Sequence, residues 1–123
     1  MLANGTFEVD LTPKDDGEST AGRMLIRKTY VGDMKGSGIG QMISKRTENG
    51  IAVYYAIEEF SGSVKGKSGG FTLVHKGYMS KESQSLEVAV LEGSGSGELQ
   101  DISGSMLIVQ EAGGHAYELT FEL

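Results

Sequence analysis

With 123 residues and a net charge of −6, the chain suits one folded domain and lacks the surplus of cations that duplex DNA or an anionic membrane surface demands. It has no cysteine, which excludes disulfides, thiolate metal sites, iron–sulfur clusters and cysteine nucleophiles. Nineteen glycines against a single proline argue against a collagen-like or proline-rich disordered chain, and 38% hydrophobic residues suffice for one modest core.

The dominant period is two. Phe7, Val9 and Leu11 alternate with Glu8 and Asp10 at the start, and His115, Tyr117, Leu119, Phe121 and Leu123 alternate with polar residues at the end. Alternate side chains of a strand face opposite ways, so this pattern builds a sheet with one buried face. Eight strands are expected, at roughly 5–12, 22–32, 38–47, 51–61, 69–79, 85–92, 104–110 and 115–123. Residues 13–20 read as a polar, mobile loop, with Asp15, Asp16 and Glu18 solvated. Asn49-Gly50 is the sharpest hairpin signal and suits a type I′ turn, and Gly113-Gly114 marks the last tight turn. Between 97 and 104 at most one helical turn offers Leu99 and Ile102 to the core.

Short strands at this spacing indicate an all-β sandwich or barrel. Glycines inside and beside strands, at 36–40 and 93–97, favour the barrel, because a closing sheet must bend sharply. The expected fold is a closed eight-stranded antiparallel β-barrel formed by residues 1–123 as one domain. No apolar run reaches the length of a membrane span. Met1 to Gly5 has neither a basic start nor an apolar stretch, so a cytoplasmic protein is expected.

Two catalytic motifs fail on inspection. Gly62-Ser63-Val64-Lys65-Gly66-Lys67-Ser68 is one residue short of a phosphate-binding loop and runs into a strand instead of a helix, so Lys65 and Lys67 are assigned to an exposed hairpin. A nucleophile elbow needs a strand–turn–helix, which an all-β chain lacks. The methionines read as core fillers or as the lining of an adaptable cavity.

The informative feature is an ionisable residue in each of three otherwise apolar rows. Lys28 shares a face with Met24, Ile26 and Tyr30, Glu58 with Tyr54, Ala56 and Phe60, and His75 with Phe71, Leu73 and Gly77. A charge buried alone is very costly, so these groups must pair with one another or line a solvated cavity. A carboxylate, an imidazole and an ammonium brought together form an acid/base cluster. Glu58, His75 and Lys28 are the candidate catalytic residues, with Tyr30, Arg46, Tyr54, Phe71 and Leu73 as candidate ligand contacts. The competing reading of the same residues is a structural polar network. In strand four the opposite row, Val53, Tyr55 and Ile57, is equally apolar, so its parity is open.

Several segments together resemble a bacterial family of unknown function with an allene-oxide-cyclase-like β-barrel. They are Gly22-Arg23-Met24, the run Lys28-Thr29-Tyr30-Val31-Gly32-Asp33-Met34, Ala56-Ile57-Glu58, and Gly66-Lys67-Ser68-Gly69-Gly70-Phe71 through His75 to Gly77. Ser94-Gly95-Ser96-Gly97-Glu98-Leu99, followed by Ser103-Gly104-Ser105-Met106, is similar to the Gly-x-Gly turn of that superfamily, which includes plant dirigent proteins. The resemblance implies a closed eight-stranded barrel of the allene-oxide-cyclase or lipocalin kind, often self-associating. It transfers no reaction, since fold does not carry function.

Two functions are therefore expected to compete. One is a barrel that binds a small apolar or amphipathic molecule and acts as a cofactor-independent isomerase or cyclase, with no metal or organic cofactor. The other is a non-catalytic homo-oligomer, a dimer or larger, that buries outward apolar residues such as Leu25, Val31, Val53, Tyr55 and Ile57. Nucleic acid and membrane partners are not expected.

Overall fold

In the computed structural model, residues 1–14, 21–111 and 113–123 are described. The mobile loop expected at 13–20 therefore lies mostly outside the described residues. Nine strands follow in chain order: β1 (Leu2–Pro13), β2 (Gly22–Gly32), β3 (Met34–Arg46), β4 (Ala52–Val64), β5 (Lys67–Met79), β6 (Gln84–Val90), β7 (Ser96–Gly97), β8 (Ser103–Glu111) and β9 (Gly114–Glu122). All pairings are antiparallel, in the order β4-β3-β2-β1-β9-β8-β6-β5, and β4 pairs with β5 to close the ring. The fold is an all-β, closed eight-stranded barrel with β7 as a short extra strand on β5. No helix among the described residues is long and apolar enough to cross a membrane.

The period-two parity organises the long strands, with Thr72 on β5, buried between Phe71 and Leu73, as an exception. On β4, Ala56, Glu58 and Phe60 are buried while Tyr55 and Ile57 stand 57% and 58% exposed, which resolves the parity left open there. The core is a cluster that includes Phe7, Tyr30, Met34, Phe60, Phe71, Leu73, Leu99, Tyr117 and Phe121. Its aromatic rings pack at tilted or edge-on angles, with Tyr30 5.4 Å from Phe60 and 5.5 Å from Tyr117 between centroids.

The core fills one end of the barrel. There the chain leaving β6 runs on alongside β5, with serine hydroxyls in place of ladder carbonyls. Ser94 Oγ accepts from the Thr72 amide at 2.9 Å and Ser96 Oγ from the Gly70 amide at 3.1 Å. The Gly/Ser run at 93–97 is thus bonded wall. A turn follows, closed by the Ile102 amide on the Leu99 carbonyl at 3.1 Å, and it drops Leu99 and Ile102 into the barrel floor.

Two hairpins differ from expectation. Between β3 and β4 only Gly50 takes a positive φ, 83°, while the Gly50 amide bonds the Thr47 carbonyl and the Thr47 amide bonds the Ile51 carbonyl. That is a three-residue loop with glycine in the left-handed position, not the two-residue type I′ turn read from Asn49-Gly50. The type I′ turn sits between β4 and β5, where Lys65 (φ 49°) and Gly66 (φ 85°) are both positive. The discarded phosphate-loop match lies on this hairpin.

Leu99 plugs the closed end with no exposed surface. Leu99→Ala is expected to lower the unfolding free energy by about 3 kcal/mol through lost burial and a residual cavity, as read by urea denaturation.

Candidate functional site

The barrel brings Lys28, Glu58 and His75 into direct contact. Glu58 Oε1 accepts from Lys28 Nζ at 2.9 Å and lies 2.8 Å from His75 Nε2. Its other oxygen, Oε2, accepts the Tyr30 hydroxyl at 2.5 Å. Lys28 Nζ also sits 4.6 Å from the Phe7 ring centroid and 5.9 Å from that of Tyr30, so the ammonium is held by a carboxylate on one side and π-faces on the other.

Strand register explains the meeting. Lys28 pairs with Gly38 and Gly40 with Glu58, while His75 pairs with Ala56, two residues from Glu58 on its own strand. The three groups therefore lie on a diagonal across four strands. Gly38 makes the diagonal passable: a Cβ there would clash with Glu58 Oε2, so the carboxylate occupies the space a side chain would fill. The glycine run of β3, read as bending the wall, also forms the slot for the carboxylate.

Glu58 has no exposed surface, while Lys28 and His75 retain 5% each. Burial pushes the Glu58 carboxyl up, but the His75 hydrogen bond, the Lys28 charge and the Tyr30 hydroxyl outweigh it and hold the group at about 2. Burial, then the Glu58 charge and hydrogen bond, pushes the Tyr30 hydroxyl far above its ordinary value, so it stays a donor. With Glu58 ionised, the hydrogen between it and the imidazole belongs on His75 Nε2, a tautomer assigned from the hydrogen-bond network. Among the described residues every buried side-chain nitrogen and oxygen has a partner.

The remaining candidates spread over the barrel. Tyr30 belongs to the cluster. Phe71 and Leu73 lie in the packed core at the closed end. Tyr54 points inward over Gly77, half-buried, with its hydroxyl pushed up by burial. Arg46 ends β3 exposed on the rim, with the inward parity of Gly38, Gly40 and Met42. Two features escaped the sequence reading. His115 stacks on Phe7 with centroids 5.1 Å apart, which ties the last strand to the cation side of the cluster. The Tyr117 hydroxyl accepts from the Met34 amide at 2.8 Å and donates to the Val31 carbonyl at 3.0 Å, bracing the β2–β3 turn. Neither has a motif, since each depends on cross-barrel neighbours. Among the described residues no group of three or more His, Asp or Glu side chains could hold a metal ion.

The depressed carboxyl has a stability consequence. Its folded value, about 2, lies below the ordinary 4.5, so its contribution is complete above pH 4.5 and is lost as pH falls towards 2. Glu58→Gln leaves Lys28 buried without its anion and should cost about 3–5 kcal/mol near neutrality. Unfolding titrations should show the gap between the parent and this variant narrowing by roughly 3 kcal/mol between pH 4.5 and 2. Gly38→Ala should displace the carboxylate and reproduce much of the loss at neutral pH, which the same titrations would read.

The family model described as a protein of unknown function (DUF3224) matches residues 3–121. The crystal structure of a protein of unknown function from that family, from Shewanella oneidensis MR-1, is 37% identical to this chain. The match covers 98% of this chain and 95% of that one, with a TM-score of 0.92. No curated protein matches. Neither match bears the name of an allene oxide cyclase or a dirigent protein.

Proposed function

The chain belongs to the DUF3224 family, whose function is unknown, and we propose that its barrel binds a small apolar or amphipathic molecule at the end opposite the Leu99 plug. One observation carries this reading: the barrel is finished differently at its two ends. At the closed end inward side chains are buried almost completely. At the other end, inward-parity residues such as Val9, Met24, Met42, Tyr54 and Ile108 are half-buried, and Leu11 and Leu86 are exposed. Apolar side chains turned towards a barrel axis yet left accessible form a lining for a ligand, and an eight-stranded barrel has room for one small molecule. The polar cluster forms the floor of that lining.

The catalytic form of this reading is a cofactor-independent isomerase or cyclase. Glu58 is an unsuitable base near neutrality, because it is sealed from solvent and its carboxyl is held at about 2. Its role is to hold and orient His75. The imidazole, fixed through Nε2, exchanges the proton through its other ring nitrogen. It takes a proton from a carbon beside a ligand carbonyl as the C–H bond breaks and returns it to a second atom, so no co-reactant is consumed. Lys28 meets the negative charge that develops on the carbonyl oxygen. Tyr54 and Arg46 stand where a ligand would enter.

Titration with 1-anilinonaphthalene-8-sulfonate tests the site. The expected result is saturable binding that Met42→Arg, inside the lining, weakens at least ~10-fold and Val109→Glu, on the outer wall of β8, leaves unchanged. Binding insensitive to Met42→Arg, or lost with Val109→Glu, overturns the reading. For turnover, a substrate found by competition with the probe should lose kcat in His75→Gln while its binding persists.

A further inference from the structure

The outer wall of β2, β3 and β4 carries an apolar patch that the barrel interior does not explain. Leu25, Ile39, Ile43, Tyr55 and Ile57 point outward and retain between 39% and 58% of their surface. Together with Gln41 and Glu59 they line a groove of about 690 Å³. Five such side chains make a patch on the order of 500 Å², in the range where exposed apolar area marks an interaction site.

The register of the three strands indicates the partner. On the rows that cross β3, Leu25 lies level with Gln41 and Ile57, Arg27 with Ile39 and Glu59, and Arg23 with Ile43 and Tyr55. Every outward group of β2 in this patch thus has its physical complement on β4 at the same level. We infer that this face pairs with a second copy of the chain about a twofold axis running along β3. The operation lays β2 of one copy on β4 of the other. Leu25 then meets Ile57, Arg27 meets the Glu59 carboxylate, and Arg23 meets the face of Tyr55. Ile39 and Ile43 meet their own counterparts on the axis, and the two Gln41 amides, each both donor and acceptor, pair across it.

Charge supports the same occupant. The chain carries −6, yet this face presents two arginines to one glutamate, so two copies approach on a surface free of the general acidic repulsion. Glu59 Oε2 accepts from Thr72 at 2.8 Å, which orients the carboxylate and leaves its other oxygen for an arginine. Two patches sum to about 1,000 Å², the threshold for a specific interface, and sheets stacked face to face with strands nearly aligned are an ordinary packing.

Sedimentation velocity at about 50 µM tests the pairing. The expected species is a dimer of the 13.1 kDa chain. Arg27→Glu and Glu59→Arg should each raise the dimer dissociation constant at least ~10-fold, and the double swap should restore it, because the ion pair re-forms with reversed polarity. Ile43→Glu, on the axis, should abolish the dimer. Near-UV circular dichroism and thermal melting establish that each variant is folded, and recovery in the double swap is a result that misfolding does not give. A monomeric parent, a closed trimer, or a dimer indifferent to these substitutions overturns the inference. So does a monomer that floats with phosphatidylcholine vesicles, which would make the patch lipid-facing.

Discussion

One carboxylate in the wall of a tube sets the terms for the rest of the structure. Glu58 accepts from a lysine and a tyrosine of β2 and a histidine of β5, and has no solvent contact. Moving an ammonium and a carboxylate out of water costs several kcal/mol per ion, and only close pairing with further hydrogen bonds offsets that cost. The geometry meets both conditions, and two other residues make it possible. Gly38 vacates the volume that the carboxyl group enters, and Phe7 presents a π-face to the side of the ammonium the carboxylate does not reach. A cluster of this kind specifies strand register, because a slip of one residue on β2, β4 or β5 would send one charged group to the outer face and strand its partners.

Around this cluster the barrel divides its length. Below it, aromatic side chains and the Leu99–Ile102 turn fill the lumen, and Tyr117 and the 93–97 serines satisfy backbone groups that the ladder does not reach. Above it, most inward residues are apolar, and Val9, Met24, Met42, Tyr54 and Ile108 among them are incompletely covered. The fixed charges therefore sit at the boundary between the packed region and the incompletely covered one.

Much of this was legible in the chain. Alternation placed Lys28 and His75 on inward rows and located the eight long strands, because a period of two needs no tertiary information to be read, but on β4 two equally apolar rows left the facing of Glu58 open. Alternation cannot give the offset between strands. That Glu58 leans across Gly38 towards Lys28 depends on the barrel's stagger, which one strand's pattern does not encode. For the same reason Phe71 and Leu73, correctly assigned to the interior, could not be placed at the closed end, and Arg46 could not be placed on the rim. Turn type failed for another reason. Asn49-Gly50 has the composition of a type I′ turn, but the Thr47–Ile51 pairing selects a longer loop, while the turn that needs two positive φ values uses the less favoured Lys65 at its first position.

The alternation that builds the interior also builds the outer face. On β2, Arg23, Leu25 and Arg27 interleave with Met24, Ile26 and Lys28, and on β4, Tyr55, Ile57 and Glu59 interleave with Ala56, Glu58 and Phe60. The same strands therefore supply the buried ion cluster and the apolar outer patch, one residue apart throughout. A strand fixed in register by the Lys28–Glu58 pair has its outward row fixed as well, because the peptide geometry that turns one side chain in turns its neighbours out. The level matching of Arg27 with Glu59 across β3 is thus a consequence of the internal pairing that sets the register of β2 and β4. Whatever meets the outer wall meets a pattern whose spacing is held by charges on the inside.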